Sequence, residues 1–233
     1  MAAGHGINFI EKLVGPEKET LFSGGLAAAL IIILAILARK RLDRNRGNLV
    51  PDEGLTLLTI AELPVLFVQS LGDQIMGKEG RKYHPFLASI FLFVLVCNMI
   101  GLVPGLSMPT DSFLFNLGIA IPVFVLYTAW GIKEIGIVSY LKHLWGPSFM
   151  IGFLLFPVEI ISHLIRPLSL SIRLFGNMTG DHMVLGAFLK LTKVGVPVIF
   201  YLFGTFVCFV QAFVFTLLTM IYIRLATAHE ESH

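Results

Sequence analysis

Charge is what this sequence has least of. Only 14% of its 233 residues are charged and 56% are hydrophobic, whereas soluble domains carry roughly 25% charged residues, so an ordinary water-soluble globule is excluded. Cysteine is nearly absent. Cys97 and Cys208 both lie inside apolar runs, which reads as packing and not as a disulfide or a metal pair; neither metal nor cofactor is expected. Repeats and low-complexity tracts are missing, and with them the inverted-repeat pattern of many secondary transporters. A basic leader is missing too: the first twenty residues hold Glu11, Glu17 and Glu19, and the first apolar run ends in Arg39, Lys40 and Arg41. That pattern predicts a retained span with a basic anchor, not a cleaved signal. The net charge of +2 says little in itself, and no nucleic-acid partner is expected.

What is present is a series of apolar runs. Residues 1–20 read as an external N-terminal tail and 21–233 as a single multi-pass membrane domain. Leu21–Ala38 is long enough to cross a hydrocarbon core of about 30 Å at ~1.5 Å rise per residue. Leu55–Met76 is interrupted by Glu62, Pro64, Gln69, Asp73 and Gln74, which predicts an interfacial or re-entrant amphipathic helix and not a clean span. Pro85–Val103 and Phe113–Ile132 read as further spans, the former closed by Pro104 and Gly105. Ser148–Leu191 would extend about 66 Å as a helix, roughly twice the membrane thickness, so it must tilt, lie partly in the interface, or break at Pro157 and Pro167. Gly195–Leu225, about 46 Å, must tilt as well. Only Thr192, Lys193 and Val194 separate the two, which predicts an antiparallel hairpin over about 148–226. The expected fold is an all-α membrane protein with about five crossings plus an interfacial helix.

Lysine and arginine distribution then orients the chain. With five crossings, the side reached after the first span collects Arg39, Lys40, Arg41, Arg44, Arg46, Lys78, Arg81, Lys82, Lys133 and Lys142; the other side holds only Lys12, Lys18, Lys190 and Lys193. The bias predicts an outer N-terminus and a cytoplasmic C-terminus.

One stretch breaks the apolar rule. Phe156–Leu191 carries Glu159, His163, Arg166, Arg173, Asn177, Asp181 and His182. A charge at the membrane centre costs roughly 2.5–3.5 kcal/mol on insertion scales, so such a segment needs protein or water around it, and ion handling is the default reading. Glu159, Arg166 and Arg173 follow at intervals of seven and Asn177 and Asp181 at intervals of four, so all five share one helix face; Ser162, His163, Ser169 and Ser171 flank it. Arg173 stays charged at physiological pH and cannot relay a proton, but it can favour an ionised carboxylate and repel a passing cation. Glu159 and His182 can titrate, and helical rise sets them about 21 Å and 13 Å from Arg173 on opposite sides. Two titratable stations separated by a permanent cation suggest two aqueous half-paths. His84, His143, His229 and His233 read as surface or interfacial residues, Arg166 as a supporting anchor or headgroup contact, and Asn98, Asn116 and Tyr222 as interhelical hydrogen-bond partners.

The run Ser169–Asn177 (SLSIRLFGN) followed by Met178 resembles the signature of the a subunit of F-type ATP synthase. Glu159 fourteen residues before Arg173, Gln211-Ala212-Phe213 and Tyr222 on the last helix, Asn98–Gly105 and Pro109-Thr110-Asp111 are similar to that family's pattern, and the likeness extends from about residue 20 onward. The resemblance implies a bacterial inner-membrane subunit that conducts ions without catalysis of its own. It implies that Arg173 is the stator arginine facing the c-ring carboxylate, that Asn177, Asp181, His182 and Gln211 line the outer half-channel, and that Glu159 and Ser162 line the inner one. It also implies as partners the c-ring, the b subunit of the peripheral stalk and, indirectly, the F1 sector, beside membrane lipid. The choice between H⁺ and Na⁺ belongs to the partner's carboxylate. The chain departs from the family in one place: Asp181-His182 stands where many members have Gly-Glu, and Gly204 where they have His or Glu. Asp181 or His182 is thus expected to fill the space opposite Gly204. The rival readings are a secondary ion transporter with its own intramembrane site and a non-transporting scaffold.

Overall fold

A computed structural model describes residues 19–44, 57–103, 106, 108–137, 140, 149–191 and 196–227. Among the described residues six α-helices are delimited, in order: α1 (Glu19–Arg44), α2 (Leu57–Met76), α3 (His84–Ile100), α4 (Phe113–Ile135), α5 (Phe149–Leu191) and α6 (Val196–Thr227), with short 3-10 turns at Lys78–Tyr83 and Pro109–Asp111. Among the described residues all regular structure is helical, as the apolar periodicity requires. The tail up to residue 18, the turn at 192–194, and His143, His229 and His233 lie outside the described residues.

Four stretches are long and apolar enough to cross a membrane: Glu19–Lys40, Lys78–Ile100, Phe113–Ile135 and Val198–Thr227. Two boundaries differ from expectation. The first helix begins at Glu19 and continues through its basic anchor to Arg44, and α4 runs on to Ile135, because no proline or glycine stops either helix where its hydropathy drops. Neither α2 nor α5 belongs to the apolar set. For α5, contacts decide: His163 lies beside Tyr127 near the end of α4, and Thr179 donates a hydrogen bond to Asp111, just ahead of its start. The 43 residues of α5 therefore run antiparallel to α4. Neither Pro157 nor Pro167 breaks the helix. At about 64 Å it is still twice the hydrocarbon thickness, which in a bilayer leaves tilt or a partly interfacial position to accommodate its length.

The α2 helix is amphipathic in the interfacial sense. Val68 and Gly72 are buried and Leu71, Ile75 and Met76 partly so, while Glu62, Gln69 and Asp73 face outward. Polar contacts bind its C-terminal end to the 3-10 turn that follows and to α6, and the turn in its own right to α4. Arg81 makes a bidentate pair with Asp73 at 3.0 and 3.1 Å, and this hydrogen-bonded guanidinium holds the carboxyl below its ordinary pKa. Arg224 of α6 donates to the Ile75 carbonyl at 2.6 Å, and Lys82 donates to Glu134 of α4. His84, expected at the surface, is buried: Gly72 lacks a side chain, and a Cβ there would stand 2.5 Å from the His84 Nε2.

The core forms where α3, α4, α5 and α6 meet. Leu87, Phe91 and Val94 of α3, Val123 and Tyr127 of α4, Leu174 and Met178 of α5, and Cys208, Phe215 and Ile223 of α6 form one buried cluster. Both cysteines are free and buried, as packing residues should be. At the opposite end from the ion pairs, Thr110 donates to Asn98 (2.9 Å), Asn98 to the Cys208 carbonyl (3.5 Å) and Asn116 to the Thr110 carbonyl (2.7 Å). Asn98 thus bridges helices as expected, whereas Asn116 serves the turn before its own helix. The backbones of α4 and α6 come close at Gly131, where an added Cβ would lie 2.8 Å from the Ala226 carbonyl oxygen. Small residues at such crossings let membrane helices make full van der Waals contact. Gly131→Ala should therefore destabilise the fold by about 1–3 kcal/mol, read as a lower thermal unfolding midpoint in detergent. Gly118→Ala on the same helix, with nothing within 4 Å of the new methyl, should leave the midpoint unchanged or raise it.

Candidate functional site

The α5–α6 hairpin carries the candidate site because its two faces differ. Pro167, Leu170, Ser171, Leu174 and Met178 form the buried face of α5. On the other side Ile161, Leu164, Ile165, Leu168 and Ile172 are all more than 40% exposed, and so are Ile199, Leu202, Phe203 and Phe206 of α6. At 100° per residue, Glu159, Ser162, Arg166, Ser169, Arg173 and Asn177 form a band between these faces. Arg173 and Asn177 are exposed, whereas Glu159, Ser162, Arg166 and Ser169 are partly covered. Among the described residues Arg173 has no hydrogen-bond or ion-pair partner. Gly176 and Gly180, both exposed, flank it with nothing within 4 Å of where a Cβ would stand.

The structure brings several of the expected residues together. Asn177 Nδ2 donates to Gln211 Oε1 at 2.7 Å, joining the two helices of the hairpin. Gln211 is only 3% exposed because it shares the buried ridge of α6 with Cys208 and Phe215. Asp181 turns toward α6: a Cβ on Gly204 would stand 3.0 Å from Asp181 Oδ2 and 3.0 Å from Leu102 Cδ2. Of the two candidates for the space opposite Gly204, the Asp181 carboxylate occupies it. His182 takes the next helical position, and its side chain lies outside the described residues.

One flanking residue departs from the reading. Ser171 is buried and donates to the Pro167 carbonyl at 2.9 Å, a bond within its own helix that removes its hydroxyl from any path. Arg166 fits the anchor reading: its guanidinium lies 5.2 Å from the centre of the Tyr222 ring. The contacts of Tyr222 seen among the described residues are through its ring, with Arg166 and with Tyr127 at 5.9 Å. Two features were missed in the sequence. Gly176 and Gly180 form a small-xxx-small pair that its spacing makes legible. The tyrosines around His163 come from a distant part of the chain, and no local signal announces them.

The contact at Gly204 can be tested on packing grounds alone. Gly204→Ala should cost about 1–3 kcal/mol by crowding Asp181 and Leu102, measured as thermal stability of the assembled complex. In an Asp181→Ala background, where the Leu102 contact remains, the same change should cost less, a non-additivity of about 1 kcal/mol.

The chain is similar over residues 21–224 to the family model described as ATP synthase A chain. It is 41% identical to ATP synthase subunit a of Bdellovibrio bacteriovorus, covering 93% of this chain and 95% of that protein. Subunit a 1 of Syntrophotalea carbinolica is also 41% identical, covering 89% and 84% of the two chains, and the Campylobacter jejuni subunit a 41% identical, covering 91% of each. A match over most of the chain, carried by helices that cross a membrane and a hairpin that presents an unpartnered arginine, leads to one conclusion: the chain belongs to the ATP synthase A chain family.

Proposed function

We propose that this chain is the ion-conducting stator subunit of a bacterial F-type ATP synthase, non-catalytic by itself. The observation that carries the reading is Arg173: a permanent cation, exposed on the uncovered face of the hairpin, with no partner among the described residues. A charge at that depth requires an anion from elsewhere, and the c-ring carboxylate is the anion the family implies. Gly176 and Gly180 support a close approach, since no side chain stands between Arg173 and an arriving helix.

On this reading a proton enters from outside past Asp181, His182, Asn177 and Gln211 and neutralises a ring carboxylate. The neutral site rotates through lipid. When it returns to the other side of Arg173, the guanidinium favours the ionised carboxylate and the proton leaves past Ser162 and Glu159. Arg173 blocks a direct passage between the paths because it repels a proton and cannot carry one. Asn177 and Gln211 support the outer path as a bonded pair of amides that can orient water. Ser169 lies between Arg166 and Arg173 on the same band and Gly204 leaves room for the Asp181 carboxylate.

The basic-residue bias supports an outer N-terminus and a cytoplasmic C-terminus. A second apolar hollow, of about 870 Å³, is lined by Leu21, Ile32, Ile90, Phe93, Phe115 and Val123; it suits a transmembrane helix of the b subunit, and F1 follows through that stalk. A secondary transporter would carry its counter-ion within its own chain, and among the described residues Arg173 has none. Arg173→Ala should abolish proton-driven ATP synthesis and ATP-driven pumping in vesicles while ATP hydrolysis by the attached F1 persists. Retained proton-driven synthesis in that variant would sink the reading.

A further inference from the structure

His163 lies on α5 one turn after Glu159, yet it turns away from the uncovered face. Its Nδ1 lies 3.3 Å from the Tyr127 hydroxyl and its Nε2 3.4 Å from the Tyr140 hydroxyl. The ring is stacked on Tyr127, with an interplanar angle of 18° and a centroid separation of 6.1 Å, and Phe124 meets it edge-on. Tyr127 is 1% exposed, so this is an interior arrangement and not a surface contact. Glu159 is close enough to Tyr140 for its charge to act on that hydroxyl. On the other side stand Arg166, three residues along α5, and Tyr222 of α6, stacked beneath it.

A membrane-depth histidine packed only for shape would present its ring to apolar neighbours. Here both nitrogens meet a hydroxyl, and a phenol can donate or accept. The neutral imidazole is served in either tautomer, one nitrogen donating and the other accepting. The imidazolium is served as well, with both nitrogens donating to phenol oxygens. The site therefore accommodates a change of charge without moving a helix. The charged and titratable groups around it are Tyr127 and Tyr140 from the α4 side, Glu159 and Arg166 from α5, and Tyr222 from α6.

We propose that His163 is a titratable positioning residue of the inner half-path, clasped between Tyr127 and Tyr140 and exchanging a proton with the water that Glu159 serves. A proton taken up at one ring nitrogen gives the imidazolium, and loss of a proton from either nitrogen restores the neutral ring, so the residue turns over without net change. In the charged state it lends Glu159 a cation one turn away. This rests on the assignment of Glu159 to the inner path.

The test uses the whole ATP synthase reconstituted in vesicles, with pumping and synthesis measured against pH on the F1 side. His163→Gln keeps hydrogen bonding and removes titration. It should move the midpoint of the F1-side pH dependence upward by about one unit, the size of removing a cation beside a carboxylate, while the dependence on the opposite side stays fixed. Glu159→Gln should abolish the same limb. An unchanged profile in His163→Gln with an altered one in Glu159→Gln overturns the role of His163 alone; unchanged profiles in both overturn the inner path as well. Should His163→Gln fail to assemble, Tyr140→Phe carries the test, since it leaves the imidazole and most of the packing. A smaller upward shift is expected there, and an unmoved midpoint overturns the proposal.

Discussion

A guanidinium that cannot be neutralised, set on an uncovered apolar face, is the constraint on which this molecule depends. Lysine could lose its proton in such a place; arginine does not. The insertion cost, roughly 2.5–3.5 kcal/mol at the membrane centre, makes an unpartnered Arg173 tolerable only as part of a larger assembly or a wetted surface. The remaining structure keeps this charge in position. Leu170, Leu174 and Met178, almost fully buried behind it, lock the rotation of α5 against α4 and α6. The glycines beside it remove bulk where a partner must come close. Rigid positioning comes from the apolar side of the helix, and exposure from the other.

The same helix separates three kinds of polar group by angle. Those on the band with Arg173 stay accessible. Those turned some 80° further, His163 and Asp181, point into the bundle and find partners there. Hydroxyls on the buried faces, Ser171, Thr216 and Thr219, donate to carbonyls of their own helices at 2.9 Å and add no polar path. Asn177 lies where band and bundle meet, which is why it can be exposed and still reach the buried Gln211. A single 43-residue helix thereby carries both an external contact and internal stations without a break.

Much of this was legible in the residues. The apolar runs located the six helices described, the intervals of seven and four put Glu159, Arg166, Arg173 and Asn177 on one band with Asp181 turned from it into the bundle, and the polar interruptions of Leu55–Met76 marked an amphipathic helix. What escaped depended on contacts distant in sequence. His84 reads as a surface residue until Gly72 makes room for it. Tyr127 and Tyr140 look like ordinary span and connector aromatics until α5 brings His163 between them. Asp181 and the residue after it differ by about 100° in direction, and that Asp181 faces Gly204 is legible only once the neighbouring helix is in place. The contact of the Arg166 guanidinium with the Tyr222 ring face likewise depends on how α5 and α6 meet.

Polar contacts elsewhere are confined to the two ends of the bundle, and that confinement bears on the mechanism proposed. One end holds Arg81–Asp73, Lys82–Glu134 and the Arg224–Ile75 bond. The other holds Thr179–Asp111 and the Asn98–Thr110–Asn116 set. Between them the core is apolar, and α3 and α4 offer no charged group through their central turns. On the proposed mechanism, water entering from either end follows the stripe on α5 and its partners on α6 and near Tyr140. A stripe that runs from end to end would by itself short-circuit the membrane. Arg173 lies within it, between Glu159 and Asp181, and on that mechanism a fixed cation at this point allows polarity at both ends without a continuous route for protons.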